Sequence, residues 1–254
     1  LFTKKTKFIE LVTSDSTSLK NHVVSIIGGG GKTTLMYKLS EELAGLGLKV
    51  VLTSTTKFQP PPDVPLFLQD ENEWFLDEAN NALQTLNRVA IGKNQYGESR
   101  VVGVASSAIF DIRKIADIIL IEADGSRQRG LKTHKEYEPV IPNYTKTTII
   151  VVSADTVGRP LTDDVVHHSE LFAAKWNLRT GSTLTPGLIC RELLSPYSYL
   201  KNVPIHSSIT YLVNKSDRNT IGGRLLADKL IRSCEHHVFL GSLKNSKVKR
   251  ISKR

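Results

Sequence analysis

Cysteine is nearly missing from this sequence: Cys190 and Cys234 are its only two in 254 residues. They lie far apart in the chain, in no His or Cys ligand set. A disulfide framework and a zinc site are therefore poor bases for the fold, and a reducing, cytoplasmic setting is expected. Long apolar runs are missing too. No stretch approaches the ~20 residues that span a bilayer, so a membrane is not an expected partner. The opening LFTKKTKFIE has no apolar stretch followed by small residues and predicts no signal peptide. Acidic residues are absent from 241–254, which hold six of the 34 Lys and Arg. Residues 1–20 add four bases against two acids, while 21–240 hold 24 bases and 23 acids. The formal charge of +9 thus comes from the two ends. That distribution argues against a broad nucleic-acid face, so nucleic acid is not an expected partner. Residues 242–254 read as a basic, flexible tail.

What is there is an ordinary globular mixture, 40% hydrophobic and 23% charged, which excludes disorder over most of the length. Apolar runs alternate with helical patterns. Strands are predicted at 23–27, 49–54, 88–92, 100–105, 117–123, 147–154, 208–214 and 237–241. Helices are predicted at 33–46, 71–86, 106–116, 163–176, 185–194 and 217–233. Strands rich in Val and Ile without alternation suit a parallel sheet covered on both faces. The strand–helix order then predicts a three-layer α/β sandwich of the P-loop NTPase kind, with right-handed crossovers. One domain is expected over 1–241, with 59–105 as a candidate insertion.

The strongest local signal is VVSIIGGGGKTTL, residues 23–35. A buried strand enters Gly28, Gly29, Gly30 and Gly31, then Lys32, Thr33 and Thr34, then a helix. Glycines let backbone amides point at a phosphate, and a helix start adds free N–H groups and a positive dipole end. Lys32 is placed to reach the β- and γ-phosphates, and the Thr33 hydroxyl to bind Mg²⁺. The first glycine of the pattern GxxxxGK[ST] would fall at Ile26, so the loop here, GxxGKTT, is shorter by two residues.

A second signal is DIILIEADGS, 117–126. Its strand ends in Glu122 and Asp124, expected to hold Mg²⁺ directly or through water and, with Lys32, to form the catalytic set. A third is Asn214-Lys215-x-Asp217 after an apolar strand. The Asp217 carboxylate can accept from guanine N1 and N2, a pattern adenine does not offer, so GTP is favoured over ATP. Asn214 and Lys215 are placed at the same base. An ordinary polar turn with Asp217 capping the next helix is the alternative. Thr53 to Lys57 follow the second strand, and Lys57 is a candidate contact to the nucleotide or to a second phosphate-bearing ligand. A hydrogen-bonded turn is the plainer reading there.

Together these segments resemble the YqeC family, on Gly28 to Thr34, Thr53 to Lys57, IEADGSRQRGLKTHKEYEPVIP (121–142), SADTVGRPL (153–161), VVHHSE (165–170), LTPGLI (184–189) and VNKSD (213–217). The resemblance implies an accessory factor in the maturation of a selenium-dependent molybdenum hydroxylase, with that enzyme or its cofactor as partner. Two departures lie at Gly130 to His134, where the family tends to read Pro-Leu-Lys-Ala-Pro, and at His167-His168, where it tends to read His-Arg. Within 121–142, Arg127 and Lys132 are candidates to neutralise an anionic ligand, Lys132 pairing with Glu138 being the structural alternative. His134, His167 and His168 are candidate metal ligands or acid–base groups, with surface or helix-terminal positions favoured. The expected function is a Mg²⁺-dependent nucleoside triphosphatase. A kinase or nucleotidyl transferase acting on a cofactor precursor, and a non-catalytic cofactor chaperone that only binds nucleotide, are the alternatives.

Overall fold

The computed structural model describes residues 7–13, 19–71 and 73–253. Along the chain run β1 (His22–Gly28), α1 (Lys32–Ala44), β2 (Val50–Ser54), β3 (Lys57–Phe58), β4 (Leu66–Leu68), α2 (Phe75–Leu86), β5 (Arg88–Gly92), β6 (Asn94–Tyr96) and β7 (Arg100–Val102). There follow α3 (Ile109–Ile112), β8 (Ile118–Glu122), β9 (Leu131–Lys132), β10 (Thr147–Ser153), β11 (Val166–His167), α4 (Ser169–Trp176), α5 (Pro186–Leu193), β12 (Ser208–Asn214), α6 (Thr220–Ser233), β13 (His237–Ser242) and β14 (Lys247–Ile251).

Nine strands form the main sheet in the order β14-β13-β12-β10-β1-β8-β2-β5-β4. Every pairing is parallel except β13 with β14. Successive side chains of a strand point to opposite faces, and β1 shows the consequence. Val23 and Ile27 enter one apolar core, with Leu83 of α2, Ile189 of α5 and Leu226 of α6. Val24 and Ile26 enter the other, with Leu35, Met36 and Leu39 of α1 and with Leu11 and Leu19 before β1. Strands buried on both faces explain the unbroken Val and Ile runs, and the expected three layers are present. Each fully buried large aliphatic side chain contributes roughly 1.5–3 kcal/mol.

Three expectations need correction. The basic end is not a free tail: Lys247–Ile251 pairs antiparallel with β13, and Val248 is buried. Charge hid a strand whose backbone is satisfied by a neighbour, and Lys-rich edge strands also resist further pairing. The segment 59–105 does not stand apart from the sheet, because β4 and β5 extend its edge; only β3, β7 and β6 form a small antiparallel sheet of their own. The helices expected at 106–116 and 163–176 shrink to Ile109–Ile112 and Ser169–Trp176. A 3-10 turn, Ser106–Ala108, precedes the first without a side-chain cap. Among the described residues no helix is long and apolar enough to cross a membrane. Cys190 and Cys234 are both free thiols.

Candidate functional site

In a parallel sheet, loops at the carboxyl ends of the strands share one edge. Here they enclose a cleft of about 1470 Å³. Its floor is the turn between β1 and α1. Gly28 adopts φ +102°, and a Cβ there would overlap the carbonyl of Val151 on β10. The loop therefore runs flush against the neighbouring strand only as glycine. Gly31, at φ +141°, is the residue before α1, and its carbonyl accepts the first helical bond, from Leu35 at 2.9 Å. The amides of 31–34 thus precede the helical ladder and lack intrahelical acceptors. They and the helix dipole favour an anion at this end. Gly28→Ala is expected to destabilise by about 1–3 kcal/mol, the cost of a strained backbone, read from the urea midpoint.

Lys32 is almost wholly buried under this loop. Its ammonium donates to Gly28 O at 2.8 Å and Ser126 Oγ at 3.1 Å. It lies 3.2 Å from Asp124 Oδ1 and 3.6 Å from Glu122 Oε1. Burial pulls the Lys32 pKa down, but Asp124 and Glu122 outweigh it and hold the ammonium charged. Glu122 ends β8 and faces the cleft, where its Oε2 accepts from Thr33 Oγ1 at 2.8 Å. Thr34 also lines the cleft.

Asp124 is placed differently from expectation. It has no exposed surface, and its Oδ2 accepts from Gly28 N at 2.9 Å and meets His134 Nε2 at 2.7 Å. Burial raises its pKa; Lys32, the hydrogen bond from His134 and the charge of Lys132 more than reverse that and hold the carboxyl below the usual range. Asp124 is therefore not placed as a metal ligand. It fixes the amide of the first loop glycine and neutralises Lys32. The alternation that would have set it beside Glu122 ends with the strand at Glu122.

His134 is correspondingly neither a surface histidine nor exposed to a metal, being buried with its ring edge-on to Tyr199. Of the two roles expected for Lys132 the structural one holds: it is fully buried and spends its ammonium on Glu138 Oε1 at 2.7 Å and Gly125 O at 2.5 Å. Arg127 remains exposed on the cleft. His167 and His168 stack at 3.9 Å on its wall. Burial, then His168, Lys132 and Arg127, push the His167 pKa down to about 4.

At the other side stand the residues expected to read a base. Asn214 is buried, with Nδ2 donating to Gly30 O at 2.7 Å and Oδ1 accepting from Leu243 N at 2.9 Å. It ties the glycine loop to the turn after β13, so its amide is not free for a base. Asp217 is exposed on the cleft, and a hydrogen bond with Ser242 lowers its pKa. Asn219, not Asp217, caps α6, accepting from Gly222 N at 2.8 Å. Lys215 and Arg218 lie 3.8 and 3.5 Å from Asp155 Oδ2. Lys57, which follows β2, is exposed and lines the same cleft.

Sequence reading missed Ser126, the 242–244 turn, Asp155, Tyr96 and Arg100. Ser126 and Ser242 follow or end parallel strands at the edge that carries the glycine loop, a positional signal. Tyr96 and Arg100 belong to the small sheet, whose placement no local pattern discloses.

Among the described residues no three His, Cys, Asp or Glu side chains form a metal-binding group. Thr33 and Glu122 offer two hard oxygens side by side, which suits Mg²⁺, an ion that keeps several waters and takes few protein ligands beside substrate phosphates.

A family model described as YqeC protein matches residues 24–170. A protein of Escherichia coli (strain K12), described as uncharacterized protein YqeC, is 30% identical over 227 residues, 87% of each chain. Similar solved structures include the hydrogenase maturation factor HypB from Archaeoglobus fulgidus, at 14% identity and TM-score 0.41, covering 95% of this chain and 89% of that one. The cell division protein FtsY from Thermotoga maritima matches at 16% identity and TM-score 0.44, covering 96% of this chain and 71% of that one.

Proposed function

We propose, for a chain that belongs to the YqeC family, that the cleft binds a Mg²⁺-nucleoside triphosphate, with GTP favoured over ATP, and that the protein hydrolyses it. One observation carries the reading. A glycine turn against a helix start stands over a buried, charged lysine, with a threonine hydroxyl and a carboxylate side by side at the same helix. A single lysine held by two carboxylates could be a purely structural pair, but the amides at the start of α1, which lack intrahelical acceptors, would then serve nothing. A polyphosphate uses all of them.

Residues 30–34 would cradle the phosphates, while the amides of Gly28 and Gly29 hold the loop in place on Asp124 and Val151. Lys32 would supply the cation for charge developing on the transferred phosphoryl group. Thr33 and Glu122 would hold Mg²⁺, which when bound offsets phosphate charge. Asp124 acts from beneath, by fixing Gly28 and Lys32. Asp217 and Lys215 are the base-side candidates. The accessory role in maturing a selenium-dependent molybdenum hydroxylase, in a reducing cytoplasm, supplies the biological context; the family resemblance supports it, as do the two free thiols for the compartment.

The base preference has its own test. Titration with GTP, ATP and CTP in Mg²⁺ is expected to rank GTP tightest by ~10-fold or more, about 1.4 kcal/mol. Asp217→Ala should erase that ranking. Equal affinity for ATP in the wild type would remove guanine from the reading and leave the phosphate site standing. Free phosphate released without any acceptor supports hydrolysis, whereas turnover only with an acceptor supports the transferase alternative.

A further inference from the structure

The cleft is larger than one nucleotide requires, and its arms differ. Single small-molecule sites run to ~300–1,000 Å³, and this one measures about 1470 Å³. Sheet order fixes where the excess lies. β12 and β2 are each second neighbours of β1, on opposite sides. With strands ~4.8 Å apart, each carboxyl end lies about 10 Å from the glycine loop. A nucleotide whose phosphates sit on that loop and whose base lies toward Asp217 leaves the β2 side open.

That open arm is cationic. Lys57 and Arg100 of the small sheet, and Arg127 and Lys135 after β8, all line the cleft and are exposed. Arg100 is braced by a 3.2 Å bond to Lys57 O, and Lys57 Nζ stands 3.4 Å over the Tyr96 ring. The carboxylates on this side are already engaged. Glu122 is held by Thr33 and Lys32, and Glu138 by Lys132 and by the amide of Lys135. Among the described residues no ion pair joins any of these four cations to a carboxylate. One carboxylate ligand would bring a single charge; a phosphate monoester brings nearly two and three acceptor oxygens, which fits several Lys and Arg donors better.

Resting on the reading that the glycine loop holds the nucleotide, we infer that the β2 arm of the cleft is a second binding site, for a small molecule bearing a phosphate monoester, bound at the same time as the nucleotide. Lys57 and Arg100 contact it from the small sheet, and Arg127 from the loop after β8.

Calorimetry on the full chain tests this in two steps. The first loads Mg²⁺ and a non-hydrolysable triphosphate analogue; the second titrates the loaded protein with phenyl phosphate, with phenol as the uncharged control. The expected result is one phenyl phosphate per loaded chain and no phenol binding. Exposed-site variants Arg100→Ala and Arg127→Ala should each weaken phenyl phosphate by ~10-fold or more while leaving analogue affinity unchanged. No binding to the loaded wild type, binding that neither variant alters, or displacement of the analogue by phenyl phosphate would each overturn the second site and leave the nucleotide site intact. Failure of the analogue to bind in the first step would defeat both.

Discussion

Lys32→Ala should bind Mg²⁺-nucleoside triphosphate ~30-fold to several-thousand-fold more weakly than the wild type, a loss of about 2–5 kcal/mol. The size follows from where the ammonium sits. It is buried, charged, and within reach of both the loop carbonyl of Gly28 and the Thr33–Glu122 pair. A phosphate brought to the loop meets a cation already desolvated and fixed, so little ordering cost remains on binding. The substitution also leaves Asp124 and Glu122 close together without their shared cation. Fluorescent-nucleotide titration therefore belongs beside near-UV circular dichroism, which reports whether the variant is folded. Lys32→Met, which keeps the apolar stem, should show the same affinity loss. A folded variant of either kind with wild-type affinity would remove the ammonium from the site.

The second large effect falls on stability. Asp124→Ala should destabilise the fold by about 3–5 kcal/mol, because it takes from a buried ammonium the nearer of its two carboxylates and leaves only Glu122, at 3.6 Å. Two buried donors, the Gly28 amide and the His134 ring, lose their acceptor with it. Asp124→Asn should cost less, since the amide oxygen still accepts from Gly28 N and His134 Nε2, although its NH2 then faces the Lys32 ammonium in place of Oδ1. The pH dependence has a definite sign. The Asp124 carboxyl is held below its usual range in the folded protein. Its contribution is full above the unfolded value near pH 4 and is lost as pH falls below that toward the folded value. Urea unfolding should show a wild-type advantage over Asp124→Ala that is level from about pH 7 to 5 and shrinks below about pH 4. An advantage that instead grows on acidification would contradict the assigned charge state.

The contrast between Glu122 and Asp124 shows what local sequence can and cannot tell. Both were legible as acids at a strand end. Which one faces the cleft depends on where β8 stops, and that is set by pairing with β1 and β2 rather than by the residues themselves. The glycine loop was legible because all its determinants are contiguous: strand, glycines, Lys32, Thr33, helix. The strand pattern likewise predicted a parallel sheet, since burial on both faces leaves its mark residue by residue. Strand order left no such mark, and with it the distribution of cleft walls went unread. Asn214 shows a related limit. It was read as a base contact from a four-residue pattern, yet its amide joins Gly30 to Leu243, a contact made 184 residues away in sequence from the loop it supports. For Lys132 the sequence left two roles open, an anionic ligand or Glu138, and only the fold, which brings Glu138 onto it at 2.7 Å, decides for the ion pair. β14 was hidden by its own lysines.

The most direct test is a crystal structure of the full chain with Mg²⁺ and a non-hydrolysable guanosine triphosphate analogue. The triphosphate should lie on the amides of residues 30–34 with Lys32 against its β- and γ-oxygens, and the ion between Thr33 and Glu122. A triphosphate bound elsewhere, with Lys32 still turned to Gly28, Asp124 and Glu122 alone, would contradict the account.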